Sequence, residues 1–442
     1  YTYVVVDPSN DSWSIPGIIA HEFNHSCQAA MDGAEVVAFW ENSATYIMSE
    51  VFASAWPYSS GFFPIFQQAP FRPLEYMNQN QTDGYEYGGA VWIHFLEHVY
   101  GGEDPIWLRQ IWEGTIQNGW TNEPDYFDVL EDVLQPHGGF ADMVRRFGEY
   151  RFFVSSYDDG QHIPGSGSWP GAEVTRTATW NLSDIPVEGA SPSSAERPQP
   201  NGYNYIVLEV STSPYAPVEF GFSGEAGKAW SVEVMHVAQG QNTQVETMAL
   251  DGQNGGTVTM QPEAGDQLVM VVAQLAPAGY DPDNQQWSGA SYTYSITHAA
   301  PEPVLTAVTP SSVARGSTGV SLSLSGEHFI DSPALQVQFS GGGITTGNPL
   351  FVSSQELNIQ INVDANAALG PRDVYVTNPD GEMAEGMGLL TITTASTGEG
   401  NVSGGCSCRT ALGSDKQGPM APLFLVLLVV GLSLRLRHRA KQ

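Results

Sequence analysis

The sequence predicts a multidomain chain: a mostly α-helical domain first, two β-sandwich domains after it, and an apolar span near the C-terminal end. Three observations carry this prediction. Up to about residue 154, apolar residues recur at the three-and-four spacing of helices. From about residue 172 they alternate in short runs punctuated by Gly, Pro and Asn, the texture of antiparallel sandwiches. Close to the end, an uninterrupted apolar stretch is followed at once by a basic cluster. With 442 residues the chain has room for roughly two to four domains.

Tyr1-Thr2-Tyr3-Val4-Val5-Val6 reads as a strand, with neither an initiator Met nor an export signal before it. The expectation is a processed or partial chain with any export signal upstream. Ser14-Ile15-Pro16-Gly17 is a helix entry, with Ser14 a cap candidate and Pro16 in the first turn. The helix runs through Ile18, Ile19, Phe23 and Ala29 to a stop at Asp32-Gly33.

Inside this helix lies His21-Glu22-Phe23-Asn24-His25, an H-E-x-x-H motif. Residues i and i+4 of a helix sit one above the other, so His21 and His25 can close on one metal ion. Neutral imidazoles suit zinc. Glu22 sits one step round the helix, where it can take a proton from an attacking water. With 10 His in the chain, the motif arises by chance about once in a hundred such sequences. Cys27, alone in this helix, reads as a small buried apolar residue.

A second helical stripe follows in Val36, Val37, Trp40, Ala44, Ile47, Met48, Val51 and Phe52. It contains Trp40-Glu41-Asn42-Ser43-Ala44-Thr45-Tyr46. A carboxylate beside a Trp at the start of an apolar helix is explained by a third metal ligand, because catalytic zinc takes three protein ligands and keeps one position open. The competing reading makes His21 and His25 buried, hydrogen-bonded histidines and Glu41 a surface charge.

The third ligand sorts the zinc-peptidase classes. A metzincin needs Gly and His three and six residues beyond His25, where this chain has Gln28 and Met31. The Gly-Thr-x-x-Asp signature of aspartate-liganded zincins is also missing, since Gly114-Thr115 is followed by Asn118. H-E-x-x-H at residues 21–25, followed by aromatic-Glu-small-small-Ala at residues 40–44, resembles the gluzincins, metallopeptidases that hold zinc on two His and one Glu. The resemblance implies a zincin-like α+β catalytic domain over residues 1–154, mostly α in the part present and with most of its N-terminal sheet upstream. It also implies zinc on His21, His25 and Glu41, and Glu22 as general base. One departure is Thr45, four residues after Glu41, where some gluzincins place an acid that orients a ligand His.

An aromatic stretch from Trp56 to Tyr76 follows, in which Pro57, Pro64, Pro70 and Pro73 prevent a continuing helix. It either lines a substrate cleft or covers the core. Tyr85-Glu86-Tyr87-Gly88-Gly89 then leads into a helix with Val91, Trp92, Phe95, Leu96 and Val99, stopped by Gly101-Gly102. This string looks like the helix after the ligand helix in several secreted gluzincins. A phenol or imidazole there can donate a hydrogen bond to an oxyanion. Tyr87 is the candidate; Tyr85 and His94 are the alternatives. Helical patterns cover Pro105 to Ile116, Asp125 to Leu134 and Phe140 to Phe153.

Residues 155–171 are polar and Gly-rich and read as a linker. A first sandwich is expected over 172–300, with strands at Tyr205 to Val210, Trp230 to Val234 and Leu268 to Val272. Asp281-Pro282-Asp283-Asn284 is a calcium-loop candidate as well as an ordinary turn. Over 301–395, Val308-Thr309-Pro310, Leu324 to Phe329 and Val374 to Gly381 closely resemble an IPT/TIG domain, an immunoglobulin-like sandwich of the E-set type. This implies a spacer or interaction module with a tight turn at Asn378 to Gly381.

Residues 396–419 form a Gly/Ser-rich spacer with Cys406 and Cys408, before the span and basic tail of 420–442. The apolar run from Met420 to Leu434 is shorter than the ~20 residues of a comfortable spanning helix, a difference that snorkelling arginines or a thinned bilayer can close. Arg435, Arg437, Arg439 and Lys441 follow it, so the positive-inside rule places the preceding chain outside the cytoplasm. Cys, span and Arg cluster together resemble the myxobacterial C-terminal sorting signal. The resemblance implies cleavage near Cys406 or Cys408 and surface anchoring; a plain membrane anchor is the alternative.

A net charge of −32 argues against a nucleic-acid partner, and no glycine-rich phosphate loop follows a strand, so no nucleotide is expected. Three Cys do not make a disulfide framework. Two readings of function stand. One is a surface-anchored or secreted zinc endopeptidase acting on polypeptides. The other is a cell-surface adhesin that carries an inactive zincin scaffold.

Overall fold

A computed structural model describes residues 4–5, 14–52, 60–77, 83–101, 106–116, 122–212, 214, 216–238, 243–284 and 287–394. Its helices all precede residue 155, apart from single 3₁₀ turns, and its strands all follow residue 177. The architecture is thus helices first and several β-sheets after, as the periodicities predict. Of the strand expected over Tyr1 to Val6, only Val4 and Val5 are described, and neither is in a strand; the tail cysteines and the Met420 to Leu434 run lie outside the described residues. Among the described residues, no helix is long and apolar enough to cross a membrane.

The helices are α1 (Ile15–Met31), α2 (Val37–Val51), α3 (Phe63–Gln68), α4 (Tyr85–Gly88), α5 (Ala90–Leu96), α6 (Ile106–Gly114), α7 (Tyr126–Leu134) and α8 (Phe140–Tyr150). Helix α1 opens with Pro16 in its first turn, where a missing N–H costs nothing, and closes on Asp32. Ser14 precedes it without a side-chain cap bond. Within the aromatic stretch, Pro64 falls in the first turn of α3, so one of the four prolines starts a helix. Cys27 is exposed, contrary to the buried reading, and Ile19 and Phe23 on the same face of α1 are 46% and 62% exposed. All three lie at i, i+4 spacing on the side turned away from α2.

Residues 155–171 differ from the expected linker. The segment has only 3₁₀ turns, yet Ile163 and Trp169 are buried in the helical core, and His162 lies between Asp159 and Glu149. Its apolar anchors override its polar composition.

The first sandwich pairs two sheets. One has the order Ala178–Asn181, Tyr203–Glu209, Gln267–Leu275, Ala229–Val237, Gln244–Thr247; the other runs Val187–Ala190, Tyr292–His298, Val218–Gly224, Gly255–Met260. The Tyr203–Glu209 and Gln267–Leu275 strands are buried on both faces. Ile206, Leu208, Met270 and Val272 face the second sheet, while Tyr203, Tyr205, Val207, Val269 and Val271 face the helices.

Residues 304–393 form two further sheets around a core of their own. The expected turn is present: the Gly381 N–H donates to the Asn378 carbonyl at 3.0 Å, between strands Gly370–Thr377 and Met383–Thr393, and Gly381 holds φ at 91°.

Candidate metal centre

Helices α1 and α2 pack side by side and set three donor atoms at one point. His21 Nε2 and His25 Nε2 are 3.1 Å apart. Glu41 Oε2 lies 3.0 Å from the first and 3.5 Å from the second. A tetrahedron with arms of about 2.0–2.1 Å has edges of about 3.3–3.4 Å, so the triangle has the size that zinc requires. Two imidazole nitrogens this close to a carboxylate oxygen need a cation or a proton among them, since bare lone pairs would repel. Among the described residues, this is the one group of three His, Cys, Asp or Glu side chains whose ligand atoms converge in this way.

The electrostatics agree with the geometry. Burial alone would push the Glu41 carboxyl up, but hydrogen bonds and charge from His21 and His25 hold it down at about 2. Burial works against a charge on His25, yet hydrogen bonds to Glu41 and Gln28, with the charges of Glu41 and Glu22, leave its pKa raised. The two rings are wedged by aromatics. Trp40 lies 5.6 Å from His25, and Tyr87 lies 5.8 Å from His21, centroid to centroid.

Glu22, half-buried, lines a cavity of about 210 Å³ together with Ile18, His21, Met48, Phe62 and Tyr87. The sequence-predicted general base, the first ligand and the predicted oxyanion donor therefore share one cavity. Tyr87 gets there because Gly88 and Gly89 allow close approach. A Cβ on Gly88 would meet the Phe62 carbonyl at 2.5 Å, and one on Gly89 would meet the Asn42 side chain at 3.0 Å. The alternatives to Tyr87 point elsewhere. Tyr85 is fully buried and donates to the carbonyls of Arg72 and Pro73. His94 packs among Tyr46, Phe63 and Trp169, and burial pushes its pKa down to about 3.

Composition alone did not single out Gln28, Met48, Phe62 or Glu86. Gln28 hydrogen-bonds His25, which gives that ring a side-chain partner where Thr45 gives none. Thr45 Oγ1, His21 Nδ1, the Asn42 amide and both carboxylate oxygens of Glu86 are buried without a hydrogen-bond partner among the described residues. Burial raises the Glu86 pKa. Met48 looked like an ordinary core residue, because an apolar stripe does not reveal which of its members border a cavity, whereas Phe62 belongs to the aromatic stretch for which lining a cleft was one of two readings. In the Asp281 loop, the Asp283 N–H donates to Asp281 Oδ1 at 2.8 Å, and Asn122 Nδ2, from far off in sequence, donates to Asp283 Oδ2 at 2.7 Å.

No protein-family model matches the chain, and no curated protein does. Among solved structures, it is similar to the pre-peptidase C-terminal domain of a collagenase from Bacillus anthracis, at 14% identity over 28% of this chain and 97% of that one, with a TM-score of 0.19. It is similar to CorA, a surface-associated copper-binding protein of Methylomicrobium album BG8, at 11% identity over 28% and 98%, with a TM-score of 0.19. Invasin, a bacterial integrin-binding protein, gives 11% identity over 44% and 39%, also at 0.19. Likenesses this slight carry no argument about fold or function.

Proposed function

We propose that the chain is a zinc-dependent endopeptidase of gluzincin type, with a zincin-like helical domain and His21, His25 and Glu41 as the zinc ligands. The observation that carries this reading is the donor triangle with edges of 3.0–3.5 Å, bordered by Glu22. Zinc bound there would supply Lewis-acid chemistry, polarising a water and the scissile carbonyl. Glu22 takes a proton from the attacking water as its oxygen bonds to the carbonyl carbon. It then returns that proton to the leaving nitrogen as the C–N bond breaks. Tyr87 donates a hydrogen bond to the developing oxyanion. The cavity between Ile18, Met48, Phe62 and Tyr87 takes an apolar side chain of the polypeptide substrate.

Residues 301–395 fit an E-set spacer of IPT/TIG type, and the tail composition fits display at a cell surface or membrane.

The test compares zinc content and cleavage of unfolded casein for the wild-type chain and Glu22→Gln. One zinc per chain in both, with cleavage only by the wild type, is the expected result. A folded chain that takes up no zinc overturns the reading. Equal cleavage by both removes Glu22 from its role.

A further inference from the structure

We infer that Gln28 is a positioning residue that fixes His25 in the tautomer a metal requires. The inference rests on the zinc reading and names a residue which that reading does not need.

Gln28 is 1% exposed, although glutamine seldom lies so deep. Its amide nitrogen reaches the Trp40 carbonyl at 3.1 Å and Ser43 Oγ at 2.8 Å. Its amide oxygen lies 2.6 Å from His25 Nδ1. A backbone carbonyl can only accept, so the amide nitrogen must face Trp40 and the oxygen must face His25. That oxygen can also only accept, so His25 Nδ1 carries the proton. His25 Nε2 is then left with its lone pair aimed at His21 Nε2 and Glu41 Oε2. The orientation is thus dictated by a backbone group on α2, twelve residues away in sequence.

The anchor is itself held. Ser43 Oγ donates to the Phe39 carbonyl at 2.5 Å and accepts from Trp112 Nε1 of α6 at 3.3 Å. Three helices therefore converge on the amide that sets one ring. Partners of this kind fix ligand orientation, and losing one costs about 10–100-fold in metal affinity.

The experiment measures zinc affinity by competition with a chelating dye, and the melting temperature of the metal-free protein, for wild type, Gln28→Met and Gln28→Glu. Met has similar length and no hydrogen bonds. Glu keeps an acceptor for His25 but gives up both donations. Both variants are expected to melt below the wild type. Only Gln28→Met is expected to lose about 10–100-fold in zinc affinity, while Gln28→Glu stays close to wild type. Wild-type affinity in Gln28→Met, or equal losses in the two variants, overturns the positioning role and leaves Gln28 a structural residue. A wild type that binds no zinc overturns the metal reading itself. A second readout needs no variant: nitrogen NMR of the metal-free wild type at alkaline pH should show His25 protonated at Nδ1, and protonation at Nε2 refutes the inference.

Discussion

Tyr87 and Glu22 face the same small cavity from different helices, and each has a separable task. In the proposed mechanism Glu22 moves a proton, while Tyr87 offers a fixed donor to charge that exists only in the transition state. Tyr87→Phe keeps the ring against His21 and Phe62, so the ligand geometry should survive. The expected result is a fall in kcat on casein of about 10²–10³-fold, with zinc content and KM nearly unchanged. A kcat within a factor of about two would leave Tyr87 as packing alone. Glu41 behaves differently, because its role is set by its neighbours. Held at about 2 by two imidazoles, it stays ionised across the physiological range, as the proposed zinc ligand must.

At the scale of elements, the site depends on how α2 is started. Glu35 is buried just before α2, where one carboxylate oxygen accepts from the Val36 N–H and the other from the Tyr126 N–H at the head of α7. Burial, reinforced by Asp125 and Asp32, pushes its pKa to about 8. Asp125, capping α7, is pushed by burial to about 7. Both folded values lie above the unfolded ones, so the native state holds protons that the unfolded chain releases. Stability is therefore greatest below about pH 4.5 with respect to these groups and declines as pH rises towards 8, by up to about 1.4 kcal/mol per unit for each group. Melting temperature should drop between about pH 5 and pH 8, and Glu35→Gln should flatten that slope while lowering stability overall by losing one acceptor. An unchanged slope would assign the pH dependence to other groups. The convergence of His21, His25 and Glu41 was legible because both their chemistry and their stripe are local: His21 and His25 are one turn apart, and Glu41 stands on the next helix. Gln28 was not legible, since its meaning lies in the Trp40 carbonyl that it meets only after α1 and α2 pack. The linker reading of residues 155–171 failed for the same reason, because Trp169 reveals itself only against Phe63.

Across the whole molecule, the boundary drawn from composition between helices and first sandwich is a shared core. Tyr203 and Tyr205 donate their hydroxyls to the Val144 and Gly148 carbonyls of α8, each at 2.7 Å; the Gly148 carbonyl belongs to the last turn, where a helix leaves such groups open. Arg145 of α8 pairs with the buried Glu233 of the sheet. Arg151, fully buried, donates to Gln67 and the Phe66 carbonyl and lies over the Phe66 ring at 4.4 Å. Change of texture marks where strands begin, but it does not tell which sheet face meets water. Here a sheet buried on both faces joins the two units, whereas residues 304–393 keep a separate core. The expected calorimetric profile is two transitions: one for the helices with the first sandwich, one for the second sandwich. Gly148 is the place to test it. A Cβ there would meet Tyr203 at 2.9 Å and Val271 at 3.1 Å, so Gly148→Val must lift α8 off the sheet. Overpacking of this kind costs about 1–3 kcal/mol, which should lower the first transition by several degrees and leave the second where it was. If both transitions moved together, the second sandwich would have to share the cooperative unit; if neither moved, the seam between α8 and the sheet would not be what holds the helical domain in place.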